Sequence, residues 1–445
     1  MKKIFFLLFA VITVVGCSDY LAVKPDMSLA TIAKPDELRA LLDNETMFNS
    51  QTVTGEDMSD NYYLLDQTWN ASSNDNLRNK YIWKVTENDE VGWNSMYEQV
   101  YYANVILEEV EKLKNEDSID VNEYNEIKGA ALFYRSLSFF ELISVFALPY
   151  QVGSNETNLG VPLRTTSDIN VKVPRATIQE CYKKIIDDLE FAAELLPTNV
   201  TSAIRPSKLA AWGLMARVAL DVSDYERAFR FSEKVIDKNR LLLDFSQIDS
   251  NSAMPFTMFN REVIHFTYRS SSFLAQSRAI VDSVLYQTYD NDDLRRACFF
   301  SKNSQGNIIF KGSYTENLST QFTGLTTAEM YLTFVEAGIR INKHDMTKDA
   351  FSEFLKSRYK TVALPNIQVT NAELLKLVLK ERRKELIFRN RRWGDIKRFN
   401  LEGANIVLKR HLNNQEYTLM PKSLEYALLI PLEVLRYAGI VQNRR

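Results

Sequence analysis

Apolar side chains recur at helical spacing along most of this chain, and that recurrence outlines its elements. Leu38, Leu41 and Leu42 follow Pro35 and predict a short first helix. Trp93, Tyr97, Val100, Ala103, Leu107 and Val110 line one face of another. From about Glu123 to Phe146 apolar positions cover most sides, which places this helix inside a core. Ile178, Cys181, Ile185, Leu189, Ala192 and Leu196 share the next face. Thr177-Ile-Gln-Glu180 opens that helix as a capping box, and Pro197 closes it. A second capping box, Thr370-Asn-Ala-Glu373, starts a helix through Leu375, Val378, Leu379, Arg382 and Leu386.

Two helix pairs stand between these. Trp212, Met215, Ala216 and Ala219 occupy one helix and Tyr225, Ala228, Ser232 and Val235 the next, with Ala228 sixteen residues after Trp212. Phe334, Ala337, Gly338 and Ile341, followed by Ala350 and Phe354, repeat those offsets 122 residues later. Small residues at such places let antiparallel helices approach closely, as in tetratricopeptide scaffolds. The predicted fold class is therefore mostly α: a tetratricopeptide-like helix-pair scaffold with a loop-rich mixed insertion at about 240–326, and not a tandem array. Within the insertion Val263 to Tyr268 favours strand, while Phe299, Phe300, Phe310 and Tyr314 sit among Ser, Asn and Gly. Residues 50–92, rich in Asn, Asp and Ser, read as a long decorated loop region.

The first residues carry an address. Lys2 and Lys3, an apolar run from Ile4 to Val15, and Gly16 before Cys17 read as an export signal over 1–16. Its apolar run is too short to span a membrane, and no later stretch looks long enough to do so. Cys17 after Val14-Val15-Gly16 resembles the lipobox of bacterial lipoproteins, in which that thiol carries lipid. A lipidated tether over 17–27 and a single domain over 28–445 complete the expected organisation.

Composition narrows the chemistry. The 14 Gly and 11 Pro are about half the ordinary share, and 45% of the 445 residues are hydrophobic, which excludes low-complexity and disordered classes. The net charge of −3 leaves no general footprint for nucleic acid. The basic run Arg389, Arg391, Arg392, Trp393, Lys397 and Arg398 interleaves with Glu381, Glu385 and Asp395, so an internally paired, partly buried network is expected there and no nucleic-acid partner. Cys181 sits on an apolar helix face and reads as a buried small hydrophobe; Cys298 is the other remaining cysteine. His265, His344 and His411 have no metal-ligand spacing, so neither metal nor cofactor is expected. There is no Gly-x-Ser-x-Gly elbow, phosphate-cradling glycine loop or His-Glu-x-x-His.

Several segments, in order, resemble the SusD/RagB family of nutrient-binding lipoproteins. They run from Cys17-Ser-Asp-Tyr-Leu-Ala-Val-Lys-Pro25 through Tyr81-Ile-Trp83, Trp93-Asn-Ser-Met-Tyr97, Ala103-Asn104 and Ile127 to Arg135. Further matches are Gly160-Val-Pro162, Val173-Pro-Arg175, Glu329-Met-Tyr-Leu332 with Glu336-Ala337, Glu381 to Leu386, Arg392-Trp-Gly-Asp395, Ile430-Pro431 and Gln442-Asn443. Ala147-Leu148 departs from the family's usual Phe-Gly before Pro-Tyr. The resemblance implies a surface lipoprotein, held to outer-membrane lipid through Cys17 and facing the exterior, that binds oligosaccharide. It would deliver the glycan to a SusC-like TonB-dependent outer-membrane transporter. It implies a binding protein and not an enzyme; the rival readings are a peptide-binding member of the family and an envelope glycoside hydrolase.

The expected ligand site is the aromatic, polar stretch from Tyr62 to Arg78. Tyr62, Tyr63 and Trp69 supply rings for the apolar faces of sugars, and Asn74, Asp75 and Arg78 supply donors and acceptors. Phe310 or Tyr314 could join from the insertion, whereas Trp83 and Trp93 are expected in the core.

Overall fold

A computed structural model describes residues 34–52, 55–88, 91–360 and 364–445. The export signal, Cys17 and the tether lie outside these residues.

Helix α1 (Pro35–Leu42) and a single turn, α2 (Glu45–Phe48), lead into the 50–92 stretch. That stretch is more regular than its composition predicts: β1 (Tyr62–Tyr63), α3 (Asp66–Asn70) and α4 (Asp75–Tyr81) follow one another in it. The long helices come next, α5 (Val91–Asn115) and α6 (Val121–Phe146), then the strands β2 (Leu159–Pro162) and β3 (Arg175–Thr177), and α7 (Ile178–Leu195). Both ends of α7 follow the sequence. Thr177 Oγ1 accepts from the Glu180 backbone N–H at 3.2 Å while the Glu180 carboxylate accepts from the Thr177 N–H at 2.8 Å.

The pairs α8 (Lys208–Asp221) with α9 (Tyr225–Lys238), and α12 (Thr327–Arg340) with α13 (His344–Arg358), form as the offsets predict. Helices α5 to α9 each pack on the next, and α12 packs directly on α9. The array therefore runs through without a break, and the insertion is spliced into the α9–α12 connection. Phe229 of α9 stacks on Phe334 of α12 at 4.6 Å, and Ala337 and Ala350 are buried at the α12–α13 crossing. A Cβ on Gly338 would lie 2.4 Å from Thr347 Cγ2, so only glycine lets these two helices meet. Helix α6 is the one described helix long and apolar enough to cross a membrane, contrary to the reading from composition, but it is buried between α5 and α7.

The insertion holds β4 (Val263–His265), β5 (Tyr268–Ser270), β6 (Ile280–Val281), α10 (Ser283–Gln287), α11 (Arg295–Phe299), β7 (Phe300–Lys302), β8 (Ile308–Phe310), β9 (Thr320–Phe322) and β10 (Leu325–Thr326). Its strands form antiparallel pairs, β4 with β10, β5 with β9 and β7 with β8, while β6 pairs with β1 of the 50–92 stretch. It is not merely laid on the scaffold. Phe245, Phe256, Phe266, Phe273, Phe299 and Phe300 build an aromatic core of its own. Phe310 and Tyr314 belong to that core, Tyr314 wholly buried beneath the Arg389 guanidinium at 3.9 Å, so neither can meet a ligand.

After α14 (Asn371–Glu385) and α15 (Arg392–Leu401) come the hairpin β11 (Leu408–Leu412) and β12 (Gln415–Leu419), and α16 (Leu432–Ala438). The following segment clasps the helical half. Asn443 Nδ2 donates to the carbonyls of Phe146 (2.8 Å) and Leu428 (2.6 Å), and Arg175 donates to Asn443 Oδ1 (2.7 Å) and Val441 O (2.9 Å). Gln442 bonds both the N–H and the carbonyl of Ile430 at 2.8 Å.

Candidate functional site

Adjacent residues of a strand point to opposite faces, and β1 divides its two tyrosines accordingly. Tyr62 turns inward: its hydroxyl donates to Asp57 O at 2.9 Å, and its ring packs against Tyr81 and Phe388. Burial drives its phenol well above the ordinary range. The structure removes Tyr62 from the expected site, because a ring enclosed on all sides offers no face to a sugar. Tyr63 turns outward and is 38% exposed, followed by Leu65 at 39%.

Trp69 sits half-buried near the end of α3, with its edge on the aromatic core. Its indole N–H donates to Arg78 O at 3.4 Å, which fixes the ring against α4, and the Arg78 guanidinium lies 5.5 Å from the ring centroid. Arg78 also pairs with Asp75 one turn back on α4. Asn74 is the N-cap of α4, its Oδ1 accepting from Leu77 N at 2.9 Å, while the residue itself stays exposed. Tyr63, Trp69, Asn74, Asp75 and Arg78 thus retain accessible surface, whereas Tyr62 does not.

A further part of this face comes from the β11–β12 hairpin. Asn413 and Asn414 form its turn with φ of 51° and 60°, left-handed values that asparagine tolerates. Asn413 exchanges side-chain amide hydrogen bonds with Asn70 at 2.9 and 3.0 Å, and its backbone N–H donates to the Asp66 carboxylate at 3.0 Å. On β12, Tyr417 carries the Lys84 ammonium 5.0 Å from its ring centroid. The Asn-Asn pair between the alternating residues Leu408, Arg410, Leu412 and the run to Leu419 is a hairpin signal in the sequence. That it lands on α3 is not.

The basic run from Arg389 to Arg398 is spent inside the molecule. Arg382 and Arg398 flank Asp395 at 3.2 and 2.9 Å, Arg398 also holds Glu336 at 2.9 Å, and Arg391 holds Glu141 at 2.8 Å. A neighbouring cluster joins Arg295, Asp293, Lys384, Glu381, Glu385, Arg358 and Glu262, all essentially without solvent contact. Burial pushes the Asp221 carboxyl up to about 6, against the opposing pull of the nearby Arg391 charge. Asp221 backs directly on Gly394, where a Cβ would come within 3.2 Å of its oxygen. Cys181 and Cys298 are buried free thiols, and Cys181 Sγ fills the space a Cβ on Gly160 would need. Trp83 and Trp93 are core residues, as expected. The sequence motifs are thus packing and charge-pairing sites, which is why they mark a fold without marking a ligand.

Residues 19–220 match a SusD-like family model described as starch-binding and associating with the outer membrane, and residues 286–427 match the SusD family model. The chain belongs to the SusD/RagB family. SusD-like protein P2 of Formosa agariphila is 23% identical over 392 residues, covering 73% of this chain and 75% of that protein. A SusD superfamily protein from Bacteroides thetaiotaomicron superposes with a TM-score of 0.76 at 20% identity, over 93% of this chain and 100% of that one. A SusD-like carbohydrate-binding protein from Bacteroides vulgatus gives 0.69 at 18% identity, over 91% and 96%. The mostly helical architecture is therefore that of SusD-superfamily structures.

Proposed function

We propose that this SusD/RagB member is a non-catalytic, lipid-anchored protein of the outer membrane that binds oligosaccharide and hands it to a TonB-dependent transporter. The observation that carries the reading is the surface around Trp69. A half-open indole held in place by its own N–H, an outward Tyr63, the Arg78 guanidinium and the Asn70 and Asn413 amides stand on one locally braced unit. Sugars need that combination, since their C–H faces stack on rings and their hydroxyls bond planar polar groups. The family description as starch-binding and the carbohydrate-binding relative in Bacteroides vulgatus support the ligand class.

A glycan array followed by calorimetry on the oligosaccharide it selects tests it. Trp69→Ala should cost on the order of 1–3 kcal/mol, roughly 5- to 150-fold in Kd, with little change in melting temperature. Unchanged affinity in a folded variant would remove this face from the function.

A further inference from the structure

A cleft of about 500 Å3 opens between α14, α15 and the end of α10, outside the Trp69 face. That volume lies within the roughly 300–1,000 Å3 of small-ligand sites. Lys380, Arg383 and Arg392 bring three cations to its wall, and Leu379 and Phe399 supply apolar surface.

Asp395 and Glu56 act on Arg392 together with Asp60, so the cations left short of negative charge are Arg383 and Lys380. Asp60 lies between the two arginines, 3.1 Å from Arg383 and 2.7 Å from Arg392, so Arg383 only shares it. Burial opposes its ionisation, yet Arg392, Arg383 and Arg410 together hold the Asp60 carboxyl far below its ordinary range. Glu402, the carboxylate in the cleft wall, is already engaged by Arg340 at 2.9 Å and by the Tyr225 hydroxyl at 2.7 Å. Asp282, which also acts on Arg383, caps α10 by accepting from Leu285 N at 2.8 Å. Lys380 is exposed and forms no ion pair among the described residues. Arg383 keeps a buried Nε with no acceptor. Burial and the neighbouring Arg392 charge both work against the Arg383 cation, as expected where positive charge is in excess.

A concave, partly desolvated wall with surplus guanidinium and ammonium groups recognises an anion, and guanidinium forks suit planar or tetrahedral oxyanions. The position connects it to the glycan face. Strand β6 pairs with the strand that bears Tyr63, Asp282 N–H donates to Asn61 O at 2.9 Å, and the chain then enters α10 and the cleft.

We propose that this cleft receives a carboxylate or sulfate ester carried on a sugar ring, so that the protein takes acidic in preference to neutral saccharides. The proposal rests on the glycan-binding reading above and adds to it a substrate class and a second contact point.

Single sugars free the test from linkage. Glucuronate, glucose 6-sulfate and glucose are titrated by calorimetry into the full chain in detergent, and crystals are soaked in each. Either acidic sugar should bind in the millimolar range with density in the cleft, and weaken as NaCl rises from 50 to 300 mM; glucose should not bind there. Lys380→Glu, an exposed change that leaves the Asp60 pairs intact, should weaken the acidic sugar at least tenfold, while Trp69→Ala leaves it unchanged. Equal binding of glucose and both acids, absence of binding by both acids, or indifference to Lys380→Glu would overturn the proposal. So would loss of the acidic sugar on Trp69→Ala, which would move it to the other face. Failure of the Trp69 reading shows separately, in the affinity of that variant for the oligosaccharide that the array selects.

Discussion

Single residues in this molecule are decided by which way they face. Tyr62 and Tyr63 are neighbours in sequence and alike in chemistry, yet one is locked to Asp57 O and the other is open to solvent. His265 is the sharper case. It lies in β4 with its ring 4.8 Å from that of Phe133, and burial, opposed by the Arg205 and Ala203 backbone, pushes its imidazole down to about 3. The unfolded chain takes up this proton near pH 6.5 and the folded chain does not, so stability falls as pH drops through that window, by about 1.4 kcal/mol per unit. Between pH 7 and 5 the loss amounts to about 2 kcal/mol. Asp221, pushed up to about 6, acts in the opposite sense below that pH, which makes the comparison of variants the informative one. Urea unfolding of His265→Gln at pH 5, 6 and 7 should show a shallower decline than wild type; parallel curves would mean that His265 is charged in the fold.

At the level of elements, close approach outweighs propensity. Gly338→Ala would ordinarily favour a helix by about 1 kcal/mol. Here the added methyl meets Thr347 Cγ2 and Phe229, and overpacking of that kind costs roughly 1–3 kcal/mol. The variant should melt lower than wild type, and Thr347→Ser, which removes the opposing methyl, should restore part of the loss. A Gly338→Ala protein of undiminished stability would show that α12 and α13 have room to part. The long helices were legible because their apolar period repeats over several turns and their caps are written in Thr177, Glu180, Thr370 and Glu373. Helices α3 and α4, five and seven residues long, contain too little repeat to announce themselves, and the two- or three-residue strands of the insertion are too short to alternate. Phe310 and Tyr314 looked like surface rings because polar residues surround them in sequence, but those polar residues make turns over an aromatic core. The candidate face was half legible. Trp69 and Arg78 share one local segment, whereas Asn413 arrives from 343 residues beyond Asn70 through a contact that no local pattern encodes.

At the scale of the whole molecule, α6 is enclosed by its neighbours and is not free to span a bilayer, so membrane attachment falls to Cys17 in the proposed arrangement. Two or more acyl chains hold a protein stably where a single chain does not. Cys17→Ala should move the protein from the membrane pellet to the soluble fraction of fractionated cells; wild-type protein released by a salt wash without detergent would exclude the anchor. The clasp formed by Arg175 and Asn443 bears on time. Asn443 is synthesised 268 residues after Arg175, a delay on the order of tens of seconds at the usual pace of a ribosome. Helices form within about a microsecond, yet the carbonyl of Phe146 and the guanidinium of Arg175 must wait for that late asparagine. The helical half therefore stays open until residues 441–443 have arrived, an order imposed by the chain and not by the speed of its helices.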